Sequence, residues 1–214
     1  MGLRAAVDLL AGAFAPRRCA GCETVAEDPI CAGCLARLEL LPSPRIKREG
    51  LGAIWIAAYE YRDPLRAIVH AAKYRGCRPA LDELARAAAA RVVDRQGLAG
   101  DALVPVTLGP RRARQRGYNQ SEVFARALER ETSLPVVLGL VRVRDTRAQS
   151  ERNEEARWRN VEGAFAWRGA GLGGARLWLV DDVVTTGATL SAASAALAAA
   201  GASIPSVVTI AAVP

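Results

Sequence analysis

Apolar and polar positions run along this chain in two kinds of block. From Leu51 onward, short apolar runs bounded by Gly, Pro or Asp alternate with longer segments whose apolar residues recur at helical spacing. That alternation predicts a parallel α/β architecture. Ala53 to Tyr59 predicts a strand. Pro64 to Tyr74 and Leu81 to Val93 predict helices, the second very rich in Ala. Ala102 to Thr107 is a compact apolar strand bounded by Asp101 and Gly109-Pro110. Ser121 to Arg130 predicts a helix with Ser121 as its N-cap and Val123, Phe124 and Leu128 on one face. Val136 to Val143 predicts a further buried strand. Leu177 to Val180 is a strand, Thr189 to Ala200 a helix closed by Gly201, and Ser206 to Val213 a last strand.

Two regions break this rhythm and set the domain organisation. Residues 1–48 hold four of the five cysteines and end in the Pro-rich, basic run Leu41-Pro42-Ser43-Pro44-Arg45-Ile46-Lys47-Arg48, which cannot continue a helix. Residues 49–214 then form the main domain. Within it, residues 144–163 carry many charges and little periodicity, and so long an irregular stretch inside a domain points to function or to disorder.

The chain has 29 basic and 22 acidic residues, a net charge of +7 and a pI near 9.6. That balance favours polyanionic partners such as nucleotides, phosphates or nucleic acid. The only lysines are Lys47 and Lys73, a bias that GC-rich coding also produces, so charge alone does not choose among them. No apolar stretch approaches the roughly 18–20 charge-free residues of a membrane span. Met1 to Phe14 carries Arg4 and Asp8 and leads into cysteines, unlike a secretory signal, so the expected compartment is the cytoplasm.

The chemistry concentrates in Leu179-Val180-Asp181-Asp182-Val183-Val184-Thr185-Thr186-Gly187-Ala188-Thr189. An apolar strand delivers two carboxylates to its C-terminal end, and a loop of small hydroxyl residues and Gly then turns into a helix. Such a junction aims backbone N–H groups and the positive end of the helix dipole at one spot, which suits a phosphate. Carboxylates touching that anion would repel it, so Asp181 and Asp182 must serve hydroxyl groups or a metal instead. A sugar phosphate meets both demands. No Gly-Lys-Ser/Thr follows, which excludes a P-loop. A second anion site is suggested by Val104 to Gln120, where a strand end leads to Arg111, Arg112, Arg114 and Arg116 before Gly117-Tyr118-Asn119-Gln120.

The first of these segments resembles the 5-phosphoribosyl-1-pyrophosphate (PRPP) motif of the type I phosphoribosyltransferases. The run Arg114-Gln115-Arg116-Gly117-Tyr118-Asn119-Gln120 resembles the signature of the ComF family within that superfamily. Lys73-Tyr74-Arg75-Gly76, Arg144-Asp145-Thr146 with Gln149-Ser150, and Arg157-Trp158-Arg159-Asn160-Val161-Glu162-Gly163-Ala164-Phe165 are similar to further ComF stretches. The resemblance extends over essentially the whole chain. It implies a type I phosphoribosyltransferase fold, an α/β flavodoxin-like parallel sheet flanked by helices, with a small N-terminal zinc knuckle. It also implies that Asp181 and Asp182 hold the ribose hydroxyls as the catalytic pair. The loop from Val183 through Thr185, Thr186, Gly187, Ala188 and Thr189 would bind the 5-phosphate. Pro105 to Leu108 would form the pyrophosphate loop, helped by Lys73, Arg114 and Arg116, and residues 144–163 a mobile hood. The implied reaction displaces pyrophosphate from C1 of PRPP, with Mg2+ on the leaving group. Competence relatives also imply a rival, non-catalytic role: sensing PRPP, or binding single-stranded DNA or a competence helicase. Trp55, Trp158 and Trp167 would then stack on bases.

Cys19-x-x-Cys22 and Cys31-x-x-Cys34 are separated by eight residues, the spacing of a four-thiolate structural zinc site. Gly21 and Gly33 suit the tight knuckles, and Arg17 and Arg18 would offset the thiolate charge. Disulfides or a redox pair are the alternative, which a cytoplasmic chain disfavours. Cys77 is unpaired, and His70 is the single histidine, so a hydrolase triad has little support.

Overall fold

A computed structural model describes residues 16–39, 54–144, 161–203 and 205–213. In chain order its elements are α1 (Ala32–Glu39), β1 (Trp55–Glu60), α2 (Leu65–Tyr74), α3 (Arg78–Gln96), β2 (Ala102–Pro105), α4 (Pro110–Arg116) and α5 (Gln120–Thr132). These are followed by β3 (Leu140–Arg142), β4 (Phe165–Trp167), β5 (Leu177–Val184), α6 (Ala188–Ala199) and β6 (Ser206–Ala212). The linker Leu41 to Arg48 and residues 145–160 of the expected hood, including the ComF-like runs there, lie outside the described residues.

The apolar strands pair into one parallel sheet in the order β1-β6-β5-β2. Alternate side chains of β5 feed opposite faces. Trp178 and Val180 join a cluster with α2, α3 and α5, whereas Leu177 and Leu179 join one with α6 and the β3–β4 hairpin. Burial on both faces explains why the strands read as nearly continuous apolar runs. No helix among the described residues is long and apolar enough to cross a membrane.

The order of the strands places the site. Leaving β2, the chain passes through α4 and α5 to Val136, which forms a parallel bridge with Leu103 on the outer side of β2. Leaving β5, it passes through α6 to β6 on the opposite side. The connections therefore diverge between β2 and β5. In an open α/β sheet, such a switch point opens a crevice beyond the carboxyl ends of the strands, where ligands bind.

Two local expectations change. Val136 to Val143 is not one buried strand: after the bridge at Val136, Val137 and Leu138 are exposed, and the run breaks at Gly139. There the Trp167 ring closes so tightly that a Cβ would lie 2.5 Å from it. Only Leu140–Arg142 resumes as a strand, antiparallel to Phe165–Trp167. The arginine-rich segment after β2, for which no element was expected, is helical. Pro110 opens the short helix α4, none of whose residues is buried, and Gly117 ends it at φ 74°.

Candidate functional site

Asp181 and Asp182 stand in the C-terminal half of β5, two residues before its end, at the switch point, and both carboxylates are engaged. The Ser121 hydroxyl donates to Asp181 Oδ1 at 2.7 Å, and the Asp182 N–H donates to the same oxygen at 2.9 Å. Asp182 Oδ1 accepts the Val183 N–H at 2.9 Å, while its Oδ2 pairs with Lys73 Nζ at 2.6 Å. Ser121 reaches Asp181 because it is not the N-cap. Asn119 is: its Oδ1 accepts the Ser121 N–H at 3.2 Å. Asn119 Nδ2 also donates to the Val106 carbonyl at 2.9 Å, tying the start of α5 to the end of β2. The Asn-Gln-Ser run thus brackets the crevice from the β2 side. Ser121 was legible only as a cap residue.

Burial and the adjacent charge of Asp182 push the Asp181 carboxyl up to about 7, although Ser121, the Asp182 N–H and Lys73 pull against that rise. Burial works against the Lys73 ammonium, yet Asp182 opposite and Asp181 beyond it hold its pKa above the ordinary lysine value. Tyr61, just after β1, lies in the same field, its phenol raised by burial.

Beside the carboxylates, Thr185 to Gly187 turn into α6. Gly187 is its N-cap at φ 82°, a left-handed conformation that favours Gly. Thr185, Thr186, Gly187, Ala188 and Thr189 line a small pocket with Asp181. Its N–H donors come from the start of a twelve-residue helix, and the Ala188 N–H is only weakly held by Thr186 Oγ1 at 3.5 Å. This is an anion-binding geometry.

Of the residues expected on the pyrophosphate side, Lys73 and Arg116 lie in each other's field, and both are already engaged. Lys73 is committed to Asp182. Arg116 donates to Gln120 Oε1 at 3.0 Å and lies over the Tyr74 ring, 5.5 Å from its centroid. Arg114 is exposed on α4. At the end of β2, the Val106 N–H continues the ladder to the Val180 carbonyl at 2.8 Å. Thr107 Oγ1 is buried with no hydrogen-bond partner among the described residues. Of the tryptophans expected to stack, two are placed among the described residues: Trp55 is in the core and the Trp167 ring packs against Gly139 and Gly169. Trp158 lies outside the described residues. His70 is exposed, its ring 4.5 Å from that of Tyr74.

A second cluster lies near the N-terminus. The sulfurs of Cys19, Cys22, Cys31 and Cys34 are all within 4.8 Å of one another, and Cys22 and Cys31 are 3.7 Å apart. Tetrahedral zinc with Zn–S bonds of about 2.3 Å places its sulfurs at about that separation. The N–H groups of Cys31 and Gly21 point at Cys19 Sγ, at 3.2 Å and 3.4 Å. The Thr24 hydroxyl, 3.0 Å from Cys22 Sγ, lowers that thiol to about 6. Gly21 is needed because a Cβ there would sit 2.9 Å from Cys34 Sγ. The four cysteines could hold a zinc ion.

The knuckle is not a free appendage. Cys19, Ala20, Ile30, Cys34 and Leu38 share one buried cluster with α2 and α3. Arg75, just after α2, forms an ion pair with Glu23 and donates to the Ala20 carbonyl at 3.3 Å. Arg18, expected to offset the thiolates, donates to the Glu23 carbonyl at 2.9 Å.

No family model matches the chain. It is 28% identical over 184 residues to competence protein F of Haemophilus influenzae, covering 81% of this chain and 80% of that protein. It is 30% identical over 141 residues to the DNA utilization protein YhgH of Escherichia coli, covering 64% of this chain and 62% of that protein. Against competence protein ComFC of Bacillus subtilis, identity is 34% over 95 residues, 44% of this chain and 37% of that protein. The chain is thus similar to proteins that bear competence and DNA-utilization names.

Proposed function

We propose that the chain binds PRPP at the switch-point crevice and transfers its phosphoribosyl group to an acceptor, in a role linked to DNA uptake. The observation that carries this reading is the adjacency of a carboxylate pair and a helix-start anion pocket that share Asp181. The 5-phosphate would take the N–H groups of Thr185 to Thr189, and the ribose hydroxyls would meet Asp181 and Asp182. In the reaction, the bond from C1 to the pyrophosphate oxygen breaks as the acceptor's lone pair forms a new bond to C1. Pyrophosphate leaves with the electron pair. Holding the ribose at both ends orients C1, and the carboxylates stabilise positive charge developing on the ring. Magnesium would arrive on the substrate's pyrophosphate, where it would offset the charge of the leaving group. Zinc at the knuckle, with all four ligands from the protein, would be structural.

The test is calorimetric titration of PRPP with magnesium into the wild type and into Asp181→Asn/Asp182→Asn. Two charge-assisted contacts are lost, so affinity is expected to fall roughly 100-fold or more. Equal affinity in the two proteins overturns the reading. The DNA utilization name of one set of relatives favours a second reading, single-stranded DNA binding without catalysis. Salt-dependent DNA binding that survives the double substitution would support it.

A further inference from the structure

We propose that Lys73 is the built-in counter-ion of the carboxylate pair, a positioning residue that fixes Asp182 and lets an anionic sugar phosphate approach two adjacent carboxylates. The proposal rests on the ribose-phosphate reading and replaces the expected pyrophosphate contact of Lys73 with a different role.

Its ground is geometric. Lys73 Nζ lies 2.6 Å from Asp182 Oδ2, and the two side chains are only 18% and 12% exposed. Lys73 sits in the last turn of α2, whose Ile68, Val69 and Ala72 are buried, and Arg75 anchors the end of that helix to the knuckle. The ammonium is therefore held in place by packing. The charged groups that act on it are Asp182 and Asp181 on β5 and Arg116 on α4, and the ammonium acts in turn on the Tyr61 phenol after β1, which Arg66 and Tyr74 of α2 also face. Arg116 is occupied by Gln120, and no other ion pair to Asp181 or Asp182 occurs among the described residues.

The side-chain type fits as well. The chain has two lysines among its 29 basic residues, and one of them stands here. A guanidinium fork would compete for both oxygens of Asp182, but Oδ1 already accepts the Val183 N–H. A point-charge ammonium takes Oδ2 alone and leaves that backbone bond intact. With Asp182 neutralised and Asp181 titrating near 7, the trio carries between zero and one negative charge at neutral pH. A phosphate ester can then bind beside carboxylates that would otherwise repel it.

The test compares Lys73→Met and Lys73→Arg with the wild type, using PRPP and ribose 5-phosphate as probes at pH 6 and pH 8.5. Ribose 5-phosphate has no pyrophosphate. Acting through Asp182, Lys73→Met is expected to lose about tenfold or more in affinity for both probes at pH 8.5. The loss is expected to be smaller at pH 6, where the pair retains a proton, and Lys73→Arg should recover part of it. A loss confined to PRPP overturns the proposal and makes Lys73 a pyrophosphate contact. Carbon-13 NMR titration of the Asp181 and Asp182 carboxyls without ligand is the independent arm. Ionisation of the pair should move to higher pH in Lys73→Met, or in Lys73→Gln if the first variant does not fold, and an unmoved titration overturns the proposal. If the titration moves but the wild type binds neither probe, the ribose-phosphate reading fails and the charge pairing stands.

Discussion

Four sulfurs within 4.8 Å of one another at the knuckle, and two carboxylates on adjacent residues near the end of β5, both gather groups that repel once ionised. Each set also has a hydroxyl within reach, Thr24 at Cys22 and Ser121 at Asp181. They differ in what balances the charge. Around the sulfurs, Arg18 and Arg75 go to carbonyls and to Glu23, and the groups directed at Cys19 Sγ are backbone N–H groups. The knuckle thus leaves room for a cation from outside. At the crevice, Lys73 fills that place with a side chain of the chain itself. A closed four-thiolate shell suits a permanent structural metal. A carboxylate pair neutralised from one side keeps its other approach open to a ligand. Metal should therefore govern stability at the first site and pH at the second.

The largest effect that would break this contrast is metal removal. Zinc-loaded protein stripped with a chelator, or carrying Cys19→Ser, is expected to lose about 3–5 kcal/mol of stability, roughly a 10 °C fall in melting temperature for a chain of this size. The loss should not stay local, because Cys19, Ile30, Cys34 and Leu38 share a buried cluster with α2 and α3. An unchanged melting curve by circular dichroism would mean that the knuckle needs no cation.

A smaller, pH-dependent effect belongs to Asp181. Its carboxyl is raised from 3.8 to about 7, so between those values the folded chain holds a proton that the unfolded chain has lost. Stability contributed by this group therefore falls as pH rises from about 4 to about 7. Asp181→Asn cannot ionise. Its stability relative to the wild type should accordingly improve across that window and level off above it, with little difference near pH 4. Urea unfolding at pH 4.5, 6 and 8 measures the slope, and a difference independent of pH would contradict the assignment.

These contrasts were unevenly legible in the sequence. The turn at Gly187 is a local feature and occurs where its pattern indicates, whereas the strand expected over Leu177 to Val180 runs on through Asp181-Asp182 to Val184, because β6 keeps pairing with it that far. The two Cys-x-x-Cys pairs likewise announce their convergence, since each knuckle is a short-range turn. The partners that tune the carboxylates are not local. Lys73 lies on a helix early in the chain and Ser121 in the first turn of another, and only the sheet order brings both to β5. Ser121 was misread because a Ser at a helix start has cap propensity, and Asn119, two residues earlier, takes that role. The arginine run suggested one anion site by composition alone. As helix α4 it spreads its side chains around an axis, and Arg116 is the one tied to Gln120 beside the crevice.

The smallest prediction sharpens the comparison at its common feature, the hydroxyl beside each charged set. The Ser121 hydroxyl donates to Asp181 Oδ1 at 2.7 Å and favours the ionised carboxylate. Ser121→Ala leaves the Asp182 N–H as a donor to that oxygen, so ionisation should become harder without being abolished. The Asp181 midpoint should move above about 7, a change worth about 1 kcal/mol. The fold should survive, because the cap of α5 is Asn119 and the serine N–H that it accepts is retained in alanine. Carbon-13 titration of the Asp181 carboxyl reads the shift directly. Lys73→Met should move the same titration in the same direction and further, since it removes a full charge next to Asp182 where Ser121→Ala removes one neutral donor. If the serine change proved the larger, hydrogen bonding would outweigh charge at this pair, and the crevice would resemble the N–H-lined Cys19 sulfur more than the lysine-balanced site described above.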